Sequence, residues 1–253
     1  MKNNDQNSAL IYDDNCPLCK AYTKAFVATG FLKKEHRISF SEVNITAHKI
    51  DWEKAKHEIP FINLTTGEVK YGVDALAEIL QQKIFFIQPL LKIKLVNWFF
   101  KKLYALISYN RKIIVANSKS INQNFDCSPN YNFFWRSLFA IVCLVLNIFL
   151  LHKIFNVLQV NFLVQPIIFL IFTISFFYCV AMCWFNKKVV TDAAVHILLS
   201  LLISNISALL FIFLVKYFFT LPIIFFVSAV IFLLVFVQQI TQRIVFMKKV
   251  SIV

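Results

Sequence analysis

From Phe133 onward the chain is almost entirely apolar, and this half leaves few folds open. Four stretches, Phe133–Leu151, Phe162–Phe185, Ala193–Val215 and Tyr217–Val237, are dominated by Phe, Leu, Ile and Val. The last three contain no Asp, Glu, Lys or Arg. At about 1.5 Å of rise per residue, each of these three is long enough to cross ~30 Å of hydrocarbon as a helix. The first is shorter and carries Arg136 near its start, where the side chain is expected to snorkel toward the interface. Trp135 and Trp184 stand near segment ends, as an aromatic belt requires. With 59% hydrophobic residues the chain is too apolar for one soluble domain. The pattern predicts an all-α transmembrane bundle of four spans.

Short-loop charges set an expected orientation. Lys187 and Lys188 lie between the second and third spans, and Arg243, Lys248 and Lys249 follow or end the fourth. The alternate loops hold only Lys153 and Lys216. The positive-inside rule then puts both termini in the cytoplasm, where thiols are reduced at rest. The expected location is an integral membrane protein of a bacterial inner membrane. The opening "MKNNDQNSAL" is polar and has no apolar export core, so no secretory signal peptide is expected.

A net charge of +13 suggests nucleic acid until its distribution is read. Residues 1–82 carry eleven acids against ten Lys or Arg. The other sixteen basic residues face only Asp126 and Asp192. The excess sits beside apolar segments, where anionic headgroups are the natural counter-charge. The expected partner is the lipid bilayer, with no nucleic acid.

Before the apolar half the chain divides into residues 1–82, a compact α/β domain, and residues 83–130, an amphipathic basic helix with a polar linker. "SALIYDD" reads as a buried strand, and Pro17 to Thr29 as a helix capped by Gly30. "HRISFSEV" alternates as a second strand, and residues 45–57 read as a helix. "IPFINL", "TTGE" and "VKYG" make a hairpin with Gly67 in its turn, and "VDALAEIL" closes the domain as a helix. The order βαβαββα is that of a minimal thioredoxin-like domain. The full expectation is an α/β thioredoxin-like domain followed by an all-α transmembrane helical bundle. In "QPLLKIKLVNWFFKKLYALISYNRK" apolar residues alternate with Lys92, Lys94, Lys101, Lys102, Arg111 and Lys112. This helix either lies in the headgroup layer or rests on the α/β domain.

The chemistry centres on "YDDNCPLCK". Pro17 favours the first helical position, which puts Cys16 at the N-cap, facing unpaired N–H groups and the positive end of the helix dipole. A thiolate is stabilised there, and Cys19, one turn on, can close a disulfide with it. Asp13 and Asp14 oppose this as nearby negative charges. Ile59-Pro60 precedes a strand, where thioredoxin-like domains place a cis-proline beside the CxxC; only before proline is a cis bond cheap. The pair has other readings. It is half of a zinc site if two of Cys127, His36, His48 and His57 complete it, or it is purely structural. No second pair stands at ligand spacing, so no metal is expected.

"YDDNCPLCKAY" resembles the opening motif of the DCC family of thiol-disulfide oxidoreductase-like proteins, named for its D-x-x-C-x-x-C core. Asp13, Cys16 and Cys19 match that core. Ile59-Pro60, "YGVDAL" from Tyr71, and "YALISYNRK" with Tyr104, Asn110 and Arg111 extend the match over residues 9–127. The sequence departs from the family pattern at Asp14 and Asn15. The resemblance implies a thioredoxin-like fold and disulfide exchange. On this reading Cys16 attacks, Cys19 resolves, and Asp13 and Pro60 complete the catalytic set. Ile59, Phe61, Pro17 and Leu18 line the surface for an unidentified protein or small thiol/disulfide partner. No bound cofactor is required.

Elsewhere, Cys143, Cys179 and Cys183 read as small apolar fillers between helices. His196, with Asp192 one turn before it, is a candidate proton or ligand group because ionisable residues in spans are costly. Two rival readings are a non-enzymatic membrane scaffold, and a small transporter or sensor with a redox-sensitive α/β domain.

Overall fold

The computed structural model describes residues 8–42, 50–116, 129–159, 187–215 and 219–250. The chain forms two compact units, Met1–Tyr131 and Asn132–Val253.

Unit 1 is built on one strand. β1 (Ser8–Tyr12) is buried along its whole length. It pairs in parallel with β2 (Arg37–Ser39) and antiparallel with β3 (Pro60–Asn63), which pairs antiparallel with β4 (Val69–Tyr71). The sheet order is β2-β1-β3-β4. Successive side chains on a strand point to opposite faces. Ala9 and Ile11 therefore join Phe40, Ile50, Ala55 and Ile62 on one face. Leu10 and Tyr12 join Leu32, Ile59, Phe61, Ala75 and Ile79 on the other. A central strand that is apolar on both sides must be covered twice, and each large side chain so buried contributes about 1.5–3 kcal/mol. α1 (Pro17–Ala28) and α3 (Gly72–Leu80) cover the second face through Tyr22, Phe26, Val27, Ala75, Leu76 and Ile79. The short α2 (Trp52–Ala55) covers the first.

The expected punctuation is present. α1 ends where Gly30 takes φ +70°. Phe31 N–H bonds the Phe26 carbonyl at 2.9 Å and Gly30 N–H bonds that of Val27 at 3.0 Å. The Phe26 and Phe31 rings meet edge-on across this Schellman cap. In the β3–β4 hairpin Gly67 has φ +72°, and Asn63 Oδ1 accepts from the N–H groups of Thr65 and Thr66. The helix expected over residues 45–57 is shorter. Residues 43–49 lie outside the described residues, and the helix itself runs only over Trp52–Ala55, capped by Asp51. Pro60 follows closely, and the residue before a proline avoids helical geometry.

Beyond α3 come α4 (Ile87–Lys92) and α5 (Lys94–Ile114), separated at Ile93, whose ψ of 113° is extended. The sequence sets residues 83–130 apart, whereas in the structure α5 is tied to the α/β core: the Tyr104 hydroxyl accepts from Ile59 N–H at 2.9 Å, and the Ser108 hydroxyl donates to the His57 carbonyl. His57 also stacks on Tyr109. Of the two placements open to this helix, its inward face takes the one against the domain.

Unit 2 contains α6 (Phe133–Val157), α7 (Lys187–Val215) and α8 (Leu221–Val250). Among the described residues, three helices are long and apolar enough to cross a membrane: Phe133–Val157, Thr191–Val215 and Leu221–Met247. The expected fourth span, Phe162–Phe185, lies outside the described residues, as do Cys127, Cys179, Cys183 and His48. α7 packs against both α6 and α8. Polar contacts thread this apolar bundle. Asn147 Nδ2 donates to the Leu198 carbonyl at 3.0 Å, and Asn205 Nδ2 to Asn147 Oδ1 at 2.8 Å. Arg136, near the start of α6, pairs with Asp192, near the start of α7, at 2.9 Å. His196 meets Arg243 Nη1 through Nδ1 at 3.2 Å, and both are buried. Cys143 is a buried free thiol, in keeping with a filler between helices.

Candidate thiol site

α1 begins at Pro17, and Cys16 is its N-cap with extended backbone (φ −92°, ψ 110°). A tight turn delivers it there: Cys16 N–H bonds the Asp13 carbonyl at 3.2 Å, and Asn15 N–H bonds Asp13 Oδ1 at 2.9 Å. The Cys16 sulfur accepts the Cys19 N–H at 3.3 Å, one of the orphan donors of the helix start. The Cys19 thiol also hydrogen-bonds the Cys16 sulfur. These bonds hold the Cys16 thiol down to about 7. The thiol–thiol bond contributes most; burial pushes the other way, and the Arg111 cation reinforces the lowering more than the Asp13 carboxylate opposes it. Cys19 moves far in the opposite direction, because its proton is held by Cys16 and its site is buried. The two buried thiols are thus driven apart, Cys16 toward easier ionisation and Cys19 toward harder.

Arg111 is the residue that a motif-centred reading undervalues. It comes from α5, 98 positions after Asp13, and its Nη2 lies 3.2 Å from Asp13 Oδ2. Both side chains are buried, at 7% and 4% exposure. Burial pushes the Asp13 carboxyl above its usual range, and the guanidinium only partly offsets this. Tyr104, two turns before Arg111 on the same face of α5, and Tyr22, on α1, lie near Cys19. Burial raises both phenols, so they stay neutral. The one signal in the sequence for Tyr104 and Arg111 is the "YALISYNRK" likeness; neither spacing nor periodicity points to a site 98 residues away.

Asp13, Cys16 and Cys19 are brought together as the sequence predicts. Asp14 turns away to Ser41, whose hydroxyl donates to Asp14 Oδ2 at 3.1 Å. Pro17 and Leu18 are half-buried at the mouth of α1. Ile59 and Phe61, expected at a partner-facing surface, are instead buried in the core cluster with Tyr104, and Ile59 N–H donates to the Tyr104 hydroxyl. Pro60 starts β3 opposite Tyr71. No cis peptide bond occurs among the described residues, so the Ile59–Pro60 bond is trans, contrary to expectation. Among the described residues, no three His, Cys, Asp or Glu side chains cluster as ligands for a metal ion.

Comparison with known proteins gives one match. Residues 10–116 fit the family model described as DCC1-like thiol-disulfide oxidoreductase. No curated protein and no solved structure matches the chain significantly. The matched segment starts inside β1 and ends just after α5, so it takes in the Cys16–Cys19 pair and the helix that brings Arg111 to it. By this match the N-terminal part of the chain, residues 10–116, is similar to the DCC1-like thiol-disulfide oxidoreductase family.

Proposed function

We propose that unit 1 is the head of a membrane-anchored thiol-disulfide oxidoreductase of thioredoxin-like fold. The fold reading is supported by a parallel β1–β2 pair joined through α1, an antiparallel β3–β4 hairpin, and α3 behind them. The observation that carries the chemistry is the Cys16 sulfur at the start of α1, bonded by the N–H and the thiol of Cys19.

In the proposed cycle the Cys16 thiolate attacks one sulfur of a partner disulfide. A mixed disulfide forms, and the partner's other sulfur leaves as a thiolate. Cys16 is then neutral, so the charge that held the Cys19 proton is gone. Cys19 passes that proton to the departed partner thiolate and attacks the Cys16 sulfur, closing Cys16–Cys19 and releasing the second partner sulfur as a thiolate. Two electrons have passed from the dithiol to the partner, and a cellular thiol donor restores the pair. Pro17 and Leu18, half-buried beside Cys16, form the surface a partner meets. Ile59, Pro60 and Phe61 support the site from within.

The anchor is read as four spans with both termini cytoplasmic. The beginnings of α6 and α7 meet through Arg136 and Asp192, and Asn147 meets Leu198 further along, so the two helices run parallel. A chain leaving α6 at Val157 must return to that face before α7, and the uncharged stretch Phe162–Phe185 is what the sequence offers for the return. Lys187, Lys188, Lys248 and Lys249 then share the face that the positive-inside rule assigns to the cytoplasm.

The test is the pH dependence of alkylation at Cys16, followed by mass spectrometry, together with disulfide-reductase turnover. A midpoint near 7 and loss of turnover in Cys16→Ser are expected. A midpoint at the ordinary thiol value, or equal turnover in Cys16→Ser and the unmodified protein, removes the enzyme reading and leaves the scaffold.

A further inference from the structure

Among the described residues of unit 1, the segment from Phe85 to Ile107 holds nearly all of the exposed large apolar side chains. Phe85, Leu95, Trp98 and Phe99 are 85%, 73%, 58% and 54% exposed, and Phe86, Ile93, Phe100, Leu103 and Ile107 are exposed too. The arrangement is ordered. At 100° per residue, Leu95, Trp98, Phe99 and Leu103 share one side of α5, while Tyr104, Ser108 and Arg111 lie on the opposite side, which is tied to the domain core. A contiguous apolar face of this kind marks an interaction site.

The charges name the partner. Residues 83–116 contain no Asp or Glu. Lys92, Lys94, Lys101 and Lys102 are all exposed and interleave with the aromatic and aliphatic residues. Lys102 falls within the apolar stripe itself, where a lysine stem is compatible with a face sunk into headgroups and its ammonium at their phosphates. Lys101 is within 3.1 Å of Asp74, at the flank of the stripe. A bilayer is also always at hand: eighteen residues, 115–132, separate α5 from the membrane-capable α6. At full extension that tether spans roughly 60 Å, so the lipid surface is present at high effective concentration.

We propose that the outer face of α4–α5 is a docking surface for an anionic lipid bilayer. Leu95, Trp98, Phe99 and Leu103 enter the acyl boundary, and Lys92, Lys94 and Lys102 meet the headgroup phosphates. The helix that touches lipid on one side holds Tyr104 and Arg111 at the thiol site on the other.

Trp98 is the reporter. The full-length chain carrying Trp135→Phe and Trp184→Phe is reconstituted in phosphatidylcholine vesicles, with or without phosphatidylglycerol, containing dibrominated acyl chains. Trp52, packed on Phe40 inside unit 1, serves as the protected reference. Bromine quenching is expected with the anionic lipid, and adding Trp98→Phe should remove at least about half of it. Changing Lys92, Lys94 and Lys102 to Gln should abolish the dependence on phosphatidylglycerol. An unchanged Cys16 alkylation profile in each variant shows that unit 1 is folded. Absence of Trp98 quenching in either lipid overturns the proposal. So does photo-crosslinking from position 99 to a second copy of the chain in place of lipid. Equal quenching in phosphatidylcholine alone overturns the assignment to anionic lipid. None of these outcomes depends on thiol turnover, so failure here is distinct from failure of the oxidoreductase reading.

Discussion

At Cys16 burial and hydrogen bonding pull in opposite directions, and hydrogen bonding wins. A buried thiolate is costly, yet the Cys19 N–H and thiol both reach the sulfur, and Arg111 adds a cation that outweighs Asp13. Two predictions belong to this scale. Arg111→Gln should raise the midpoint of Cys16 alkylation and slow the reaction at neutral pH by roughly threefold to tenfold, with Arg111→Lys recovering part of the loss. A residue that serves only the fold would leave that pH profile in place. The second prediction concerns stability. The Cys16 pKa in the folded protein, about 7, is below its ordinary 9.0. A depressed acid stabilises the folded state fully above the ordinary value, and the gain is lost as pH falls through about 7. The reduced protein should therefore gain up to about 2–3 kcal/mol over Cys16→Ser between pH 7 and pH 9, measured by thermal unfolding in detergent.

The element that matters most after α1 is α5. It supplies a hydroxyl to the N–H of Ile59 and a guanidinium to Asp13, so one face of a single helix closes the core and charges the site. Tyr104→Phe keeps the ring but leaves the buried Ile59 N–H without that acceptor, at a cost of about 1–3 kcal/mol. A lower unfolding midpoint for unit 1 with an intact Cys16 midpoint is the expected result. If both change together, α5 positions the thiols as well as covering them. At the far end of α1, Gly30→Ala forces a side chain into φ +70° with Lys83 Nζ 2.8 Å from the new Cβ. Lys83 is flexible and yields; the backbone strain remains, at about 1 kcal/mol, readable in the same unfolding measurement.

At the scale of the molecule, an α/β unit and a unit of membrane-capable helices are joined in one chain. Unit 1 is held by a two-sided sheet; helices surrounded by lipid, as proposed for unit 2, would have no hydrophobic drive between them and would rely on packing and polar contacts. Asn147 stands at the centre of these, since it donates to Leu198 and accepts from Asn205. Asn147→Leu should weaken the bundle by about 0.6–2 kcal/mol, seen as a lower midpoint in denaturing-detergent titration. Asn147 and the thiol site belong to different units, and the Cys16 alkylation midpoint should not move. A shift of that midpoint would mean that the bundle and the thiol site are energetically coupled.

Legibility in the sequence follows the distance over which each feature is decided. Pro17 fixed a helix start, Gly30 and Gly67 fixed turns, the apolar run in Ser8–Tyr12 fixed a doubly buried strand, and long apolar runs fixed membrane-capable helices, because these are set by a residue and its near neighbours. The Arg111–Asp13 pair, the Tyr104 cover over Ile59, the burial of Ile59 and Phe61, the trans bond at Pro60 and the pairing of Arg136 with Asp192 depended on contacts between distant segments. Local propensity carries no information about which far-off charge will neutralise a buried one. Only the folded chain, by placing α5 against α1 and α6 against α7, made that choice.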